Sequence, residues 1–377
     1  MDQAGEHVVH STPASLLPGW AELIDLAGAR LGGRTLACSD DFFAGMESLL
    51  KPERAVFIPG KFTARGKWMD GWESRRKRVP GHDWCVIRLG EAGKVRGVCV
   101  DTAHFNGNQP EYCTLEGAEI AGGAGGRRGQ GAGGARGGGG GAAAALKTAE
   151  WVEIIPRTPL NPGSEHYIGA AVSAADRRFT HVRLNIFPDG GVARLRVHGE
   201  VLADWPALMR GRTPVELSGA KHGGLVIGAN NMHFGSRHNL IMPDRAPNMG
   251  DGWETRRKRG LTWADGRPVE HDWAIVRLGH RGTIGRVEID THHFKGNFPE
   301  SAMVEVCDVP DDASALRESP AAWRTLVPRS KLKADHKHVY VREIDRNAAA
   351  RPCTHARLSI YPDGGVSRLR LWGRPVA

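Results

Sequence analysis

Apolar and polar positions alternate with a period of two along several short stretches of the chain, and helical periodicity is scarce. Val95–Asp101 sets Val98 and Val100 against Arg96 and Cys99, the pattern of a half-buried strand, and Trp84–Leu89 is a compact apolar run holding Arg88. Arg183–Phe187 and Val192–Val197 flank Pro188-Asp189-Gly190-Gly191, whose Asp-Gly-Gly offers the positive-φ positions of a tight turn, so the segment predicts a hairpin. The same phrase returns at Pro362-Asp363-Gly364-Gly365. Pro18–Arg30 is the best candidate for an amphipathic helix. Short strands punctuated by Gly and Pro predict an all-β protein built from β-sandwich or jelly-roll domains.

The repeated turn belongs to a larger repetition. Asp70-Gly71-Trp72-Glu73-Ser74-Arg75-Arg76-Lys77-Arg78 recurs as Asp251-Gly252-Trp253-Glu254-Thr255-Arg256-Arg257-Lys258-Arg259. His82-Asp83-Trp84 recurs as His271-Asp272-Trp273, and Asp101-Thr102-Ala103-His104-Phe105-Asn106-Gly107-Asn108 as Asp290-Thr291-His292-His293-Phe294-Lys295-Gly296-Asn297. Trp151, Pro156, Arg157 and Leu160 match Trp323, Pro328, Arg329 and Leu332, and residues 180–199 match 354–373 at 14 of 20 positions. The matches are collinear, so one ancestral domain was copied once. The expected organisation is a tail over 1–20, a first repeat over 21–200, a linker over 201–220 and a second repeat over 221–377.

Composition adds limits. At 40% hydrophobic and 25% charged residues the chain reads as an ordinary globular protein. Its apolar runs are too short to span a bilayer and its start lacks a secretory signal, which gives a cytoplasmic expectation. The six cysteines do not follow the repeat, since Cys85, Cys99 and Cys113 align with Ala274, Glu288 and Ala302, so free thiols are expected. The net charge of +9 favours anions, but residues 121–145, with thirteen glycines and eight alanines, carry three of the arginines. That segment cannot bury a core and is expected to be a disordered surface insertion in the first repeat.

Chemistry is concentrated in the duplicated polar residues. Folding alone asks two copies only for matching apolar periodicity, so shared Glu, Arg, His and Asp point to a polar task. Arginines of the basic run (Arg75, Arg76, Arg256, Arg257) suit bidentate capture of a carboxylate, with Glu73 or Glu254 beside them to orient the guanidinium or accept N–H groups. Structural ion pairing and nucleic-acid contact are the competing roles for that run. His82-Asp83 and His271-Asp272 open a strand, and Asp101 with His104, like Asp290 with His293, close one. Such histidines exchange protons near neutral pH, ligate a hard divalent ion with the carboxylates, or bond to a loop backbone. Gly107-Asn108 and Gly296-Asn297 read as tight turns.

Taken together, GWE[ST]RRKR, HDWxxxRLG, DTxHFxGNxPE, WxxxxPRxxL and RLxI[FY]PDGGxxRLR, each present twice and in order, resemble the allantoicase family over residues 30–377. The resemblance implies paired jelly-roll (galactose-binding-like) domains and hydrolysis of allantoate to ureidoglycolate and urea in purine (allantoin) catabolism. Which motif residues are catalytic the resemblance leaves open; the chemistry of such a substrate, an anion with several N–H donors and a departing urea, makes His104, His293, His82, His271, Glu73 and Glu254 the catalytic candidates and Arg75, Arg76, Arg256, Arg257, Asp101, Asp290, Asn108 and Asn297 the substrate-binding ones. No organic cofactor is required; a divalent metal such as Mn2+ is compatible with the residues, its ligands unknown. The expected partner is the small molecule allantoate rather than nucleic acid or membrane, and a homo-oligomer is compatible. The competing function is a non-catalytic β-sandwich module binding carbohydrate or a small anion.

Overall fold

The computed structural model describes residues 17–121, 139–317 and 322–376. The chain separates into two compact units, Met1–Leu202 and Ala203–Ala377, each built around an eight-stranded antiparallel sheet. Among the described residues no helix is long and apolar enough to cross a membrane.

One strand organises each unit. In the first, Asp83–Asp101 pairs through its early residues with Arg34–Cys38 and Phe179–Phe187, and through its later residues with Glu165–Gly169 and Arg194–Val201. The strand thus bends and contributes to both layers of a sandwich. Tyr112–Ala118 and Val152–Pro159 extend the first layer, and Ile24–Asp25 the second. Ile87, Leu115, Ile154, Leu184, Val98, Ile168, Leu195 and Val197 are buried in the core. The second unit repeats the plan around Asp272–Asp290. Its first strand, Val215–Glu216, pairs with Arg368–Pro375 and lies within the segment read from sequence as linker.

Four expectations need correction. Arg183–Phe187 and Val192–Val197 do not form a hairpin: Phe179–Phe187 pairs with the early part of the long strand and Arg194–Val201 with its later part. The Pro-Asp-Gly-Gly phrase instead carries the chain from one layer to the other, after a cis Phe187–Pro188 peptide. Its first glycines, Gly190 and Gly364, do take the expected positive φ (136 and 134), while the second answer to crowding, because a Cβ on Gly191 would sit 1.9 Å from the Phe105 ring, and Gly365 stands equally close to Phe294. Pro18–Arg30 is not a helix but two short 3-10 turns, Gly19–Glu22 and Ala29–Leu31, around the strand Ile24–Asp25. The pairing of that strand with Arg194–Val201 outweighs local propensity. Within the insertion, Gly139–Thr148 is helical rather than disordered, as its alanine run permits, while 122–138 lie outside the described residues. Cys99, expected on the solvent face, is also buried.

Candidate active site

Because the long strand bends, both of its ends arrive at the same rim of the sandwich, and the repeated motifs meet there. Asp189 accepts the Lys77 backbone N–H (2.7 Å), the Ser74 N–H donates to the Gly190 carbonyl (3.1 Å), and the Gly191 N–H donates to the Asn108 carbonyl (2.8 Å). Trp72 is fully buried below, its indole N–H donating to the Asp40 carbonyl at 2.8 Å. The second repeat reproduces these contacts through Lys258 and Asp363, Thr255 and Gly364, Gly365 and Asn297, and Trp253 and Asn231.

Glu73 sits in a two-residue strand paired with Gly191–Val192, and its Oε1 accepts a 2.8 Å hydrogen bond from the Asn108 amide. Burial holds the Glu73 carboxyl above its usual range, opposed by that hydrogen bond and by the charge of Lys67. Glu254 and Asn297 form the same pair at 2.5 Å. Each asparagine therefore orients the glutamate through an amide N–H.

His104 and His293 occupy the left-handed region, both with φ 70, a conformation that non-glycine residues rarely adopt. Their Nε2 atoms lie 3.1 Å from the Ala55 carbonyl and 3.0 Å from the Ala246 carbonyl. A carbonyl only accepts, so Nε2 carries the proton and Nδ1 is left with its lone pair. The loop-backbone role foreseen for these histidines is thus filled, and it fixes the tautomer that a base requires. Phe57 joins the parts of the first repeat, packing on His104 at 5.9 Å and on the Lys67 ammonium at 4.5 Å. In the second, Ala246 and Met249 belong to one loop, and the Met249 sulfur touches Asn297.

The basic run divides its labour. Lys77 and Lys258 turn inward onto Asp83 (2.6 Å) and Asp272 (2.5 Å), both fully buried. Arg75 is ion-paired with Asp40 at 2.6 Å, whereas Arg256, its counterpart, faces the neutral Asn231, which accepts its backbone N–H. Arg76 and Arg257 are exposed. In the second repeat Arg257 and Lys258 line a cleft of about 550 Å³ together with Glu300, Lys331, Leu332 and Asp363, so segments of four motifs meet in one concavity of small-molecule size.

The remaining expected residues lie around this centre. Asp101 and Asp290 are buried and cap their own turn, accepting the backbone N–H of Ala103 (2.7 Å) and His292 (3.0 Å); Asp290 also holds Arg245. His82 and His271 are exposed and stack on Phe187 (4.8 Å) and Tyr361 (5.1 Å), rings that also carry the Arg157 and Arg329 guanidiniums. Sequence reasoning missed Lys67 and the pair His292–Asp335, at 2.7 Å. His292 was visible beside His293, but Asp335 is remote in sequence and has no counterpart in the first repeat, where Gly163 stands. Among the described residues no group of three or more His, Cys, Asp or Glu side chains is placed to hold a metal ion.

The model of the allantoicase repeat matches residues 24–202 and 215–376. A probable allantoicase of Burkholderia mallei is 44% identical over 351 residues, covering 93% of this chain and 94% of that protein. A probable allantoicase of Rhizobium meliloti is 40% identical over 364 residues, 95% of this chain and 96% of the other. The crystal structure of allantoicase from Saccharomyces cerevisiae superposes with a TM-score of 0.72 at 32% identity, covering 93% of this chain and 92% of its own. With both repeats matched and the sandwich plan reproduced, the chain belongs to the allantoicase family.

Proposed function

We propose that, in hydrolysing allantoate to ureidoglycolate and urea in purine catabolism, the chain uses the sandwich rim of each repeat, with His104 or His293 as base and Glu73 or Glu254 as acid. The observation that carries this assignment is the duplicated pair of left-handed histidines, each pinned through Nε2 and four residues before the asparagine of a Glu–Asn pair.

Allantoate bears a hydrogen, a carboxylate and two ureido groups on one carbon. The imidazole Nδ1 takes the N–H proton of the ureido group that stays, and the freed electron pair forms a C=N bond as the other C–N bond breaks. The glutamic acid gives its proton to the departing nitrogen, and urea leaves. Water then adds to the C=N carbon, losing a proton to the glutamate, while the imidazolium returns its proton to nitrogen. Proton inventory is restored and the product is ureidoglycolate. Each positioned proton transfer contributes on the order of 10²–10⁴ in rate. Arg76 or Arg257, with Arg256, receives the carboxylate.

Among the described residues no cluster of three or more His, Cys, Asp or Glu side chains is placed to hold a divalent ion, and no step is routed through a metal. Six free thiols favour a reducing, cytoplasmic setting. The alternative of a non-catalytic binding module is disfavoured by the family.

Urea release by the His104→Ala and His293→Ala variants and by their combination tests the assignment. The double variant is expected to lose about 10²-fold or more in turnover. Wild-type turnover in the double variant would overturn the histidine roles.

A further inference from the structure

We infer that the second repeat carries a separate binding site, away from the rim, for a planar aromatic anion. The internal duplication supplies the argument. In the first repeat Trp20 lies over Gly97, so close that a Cβ there would meet the indole at 2.6 Å, and its ring packs against His198 (5.9 Å) and Tyr167 (6.1 Å). Gly97 faces His198 across the strands as Arg286 faces Trp372 in the second repeat.

At that second position there is a cavity of about 580 Å³, lined among others by Arg286, Arg346, Arg374, Trp372, Ala349 and Ala350. No acidic side chain lines it. The substitutions between repeats run in net toward positive charge: Arg286 stands for Gly97, Arg374 for Glu200, Arg346 for Val172 and Ala350 for Asp176, against Thr283 for Lys94 and Gly285 for Arg96. Arg286 bonds to Glu288 and lies over the Trp372 ring at 5.4 Å. Among the described residues the guanidiniums of Arg346 and Arg374 form no hydrogen bond or ion pair. The Trp372 Nε1 is buried without an acceptor.

Two unpaired guanidiniums beside an indole ring define complementary chemistry: an aromatic ring bearing a carboxylate or similar anion. The ring takes the place that Trp20 fills in the first repeat, and the anion sits on Arg346 and Arg374. The site is separate from the hydrolytic rim, since Asp290 is four residues further along the strand from Arg286, about 13 Å at ~3.3 Å per residue.

Calorimetric titration of the full chain with indole-3-acetate, and with neutral indole-3-acetamide, tests the inference. Indole-3-acetate is expected to bind saturably, and the amide about tenfold more weakly or worse. Arg346→Glu with Arg374→Glu is expected to weaken acetate binding about tenfold or more while urea release stays unchanged. Ala350→Trp, which places an indole in the cavity, should abolish binding, with unchanged urea release reporting an intact fold. Absence of saturable binding by the unaltered protein at millimolar ligand, or undiminished binding by both variants, would overturn the site.

Discussion

Asn108→Leu is a sharp test of Glu73 as the proton donor. The substitution keeps the side chain's size and removes the 2.8 Å amide hydrogen bond to Oε1, which favours the carboxylate form. Glu73 is already held above its ordinary range, chiefly by burial. A hydrogen bond to a charged acceptor contributes about 1.5–3 kcal/mol, and the lower end applies because Glu73 is only partly buried. About 1.5 kcal/mol corresponds to roughly one pH unit, upward. The donor works only when protonated, so the alkaline limb of the first repeat's activity moves up by about one unit. Stability follows a definite sign. A raised carboxyl pKa means the folded state binds the proton more tightly, so its stabilising contribution is present at low pH and is lost as pH rises from the unfolded value through the folded one. Asn108→Leu widens that window. The assay is kcat/KM for urea release against pH in a Glu254→Gln background, so that turnover reports the first repeat. An alkaline limb that stays in place or moves down refutes the role of Glu73, and so does a background variant with no turnover at all.

Two further predictions concern what holds the rim. Lys77→Met leaves the fully buried Asp83 carboxylate with only the Ser39 hydroxyl at 2.7 Å, and is expected to cost about 3 kcal/mol, roughly 6–12 °C in the melting of that repeat. Differential scanning calorimetry checks it, and Lys77→Met with Asp83→Leu should recover most of the loss. Gly191→Ala drives a Cβ to 1.9 Å from the Phe105 ring, whereas Gly107→Ala, at φ 98, meets nothing within 4 Å. The first should cost about 3 kcal/mol or more and the second about 1–2 kcal/mol, an ordering that urea denaturation measures.

Duplicated charge proved to carry two messages that sequence could not separate. Asp70 and Asp251 read as part of a polar task, yet they form buried ion pairs with Arg194 and Arg368 at 2.7 and 2.9 Å, joining the start of one motif to the end of another. Lys77 and Lys258 are structural in the same way. Glu73, Asn108 and His104 are instead partly exposed and gathered at one rim, a distinction that depends on burial and so on tertiary placement. The strands were legible because alternation reports local environment. The false hairpin arose because Asp-Gly-Gly is also what a crowded crossing demands, and the crowding comes from Phe105, far away in sequence.

The differences between the repeats follow from the same physics. The bent strand, the buried tryptophans and the Glu–Asn pairs recur because each is fixed by several neighbours at once, so one change leaves a buried group unsatisfied. Loops at the rim have no such constraint. The first repeat places the short hairpin of Phe62–Thr63 and Gly66–Lys67 there, which brings Lys67 toward Glu73, while the second has its own hairpin at Trp263–Ala264 and Arg267–Pro268, on whose Pro268 carbonyl Arg329 rests at 2.8 Å. The second alone has the His292–Asp335 pair. Two copies of one frame thus surround the same glutamate and histidine with different charges. Their pH dependences should therefore differ even where their geometries agree, and the single-repeat backgrounds used for Asn108→Leu resolve that difference directly.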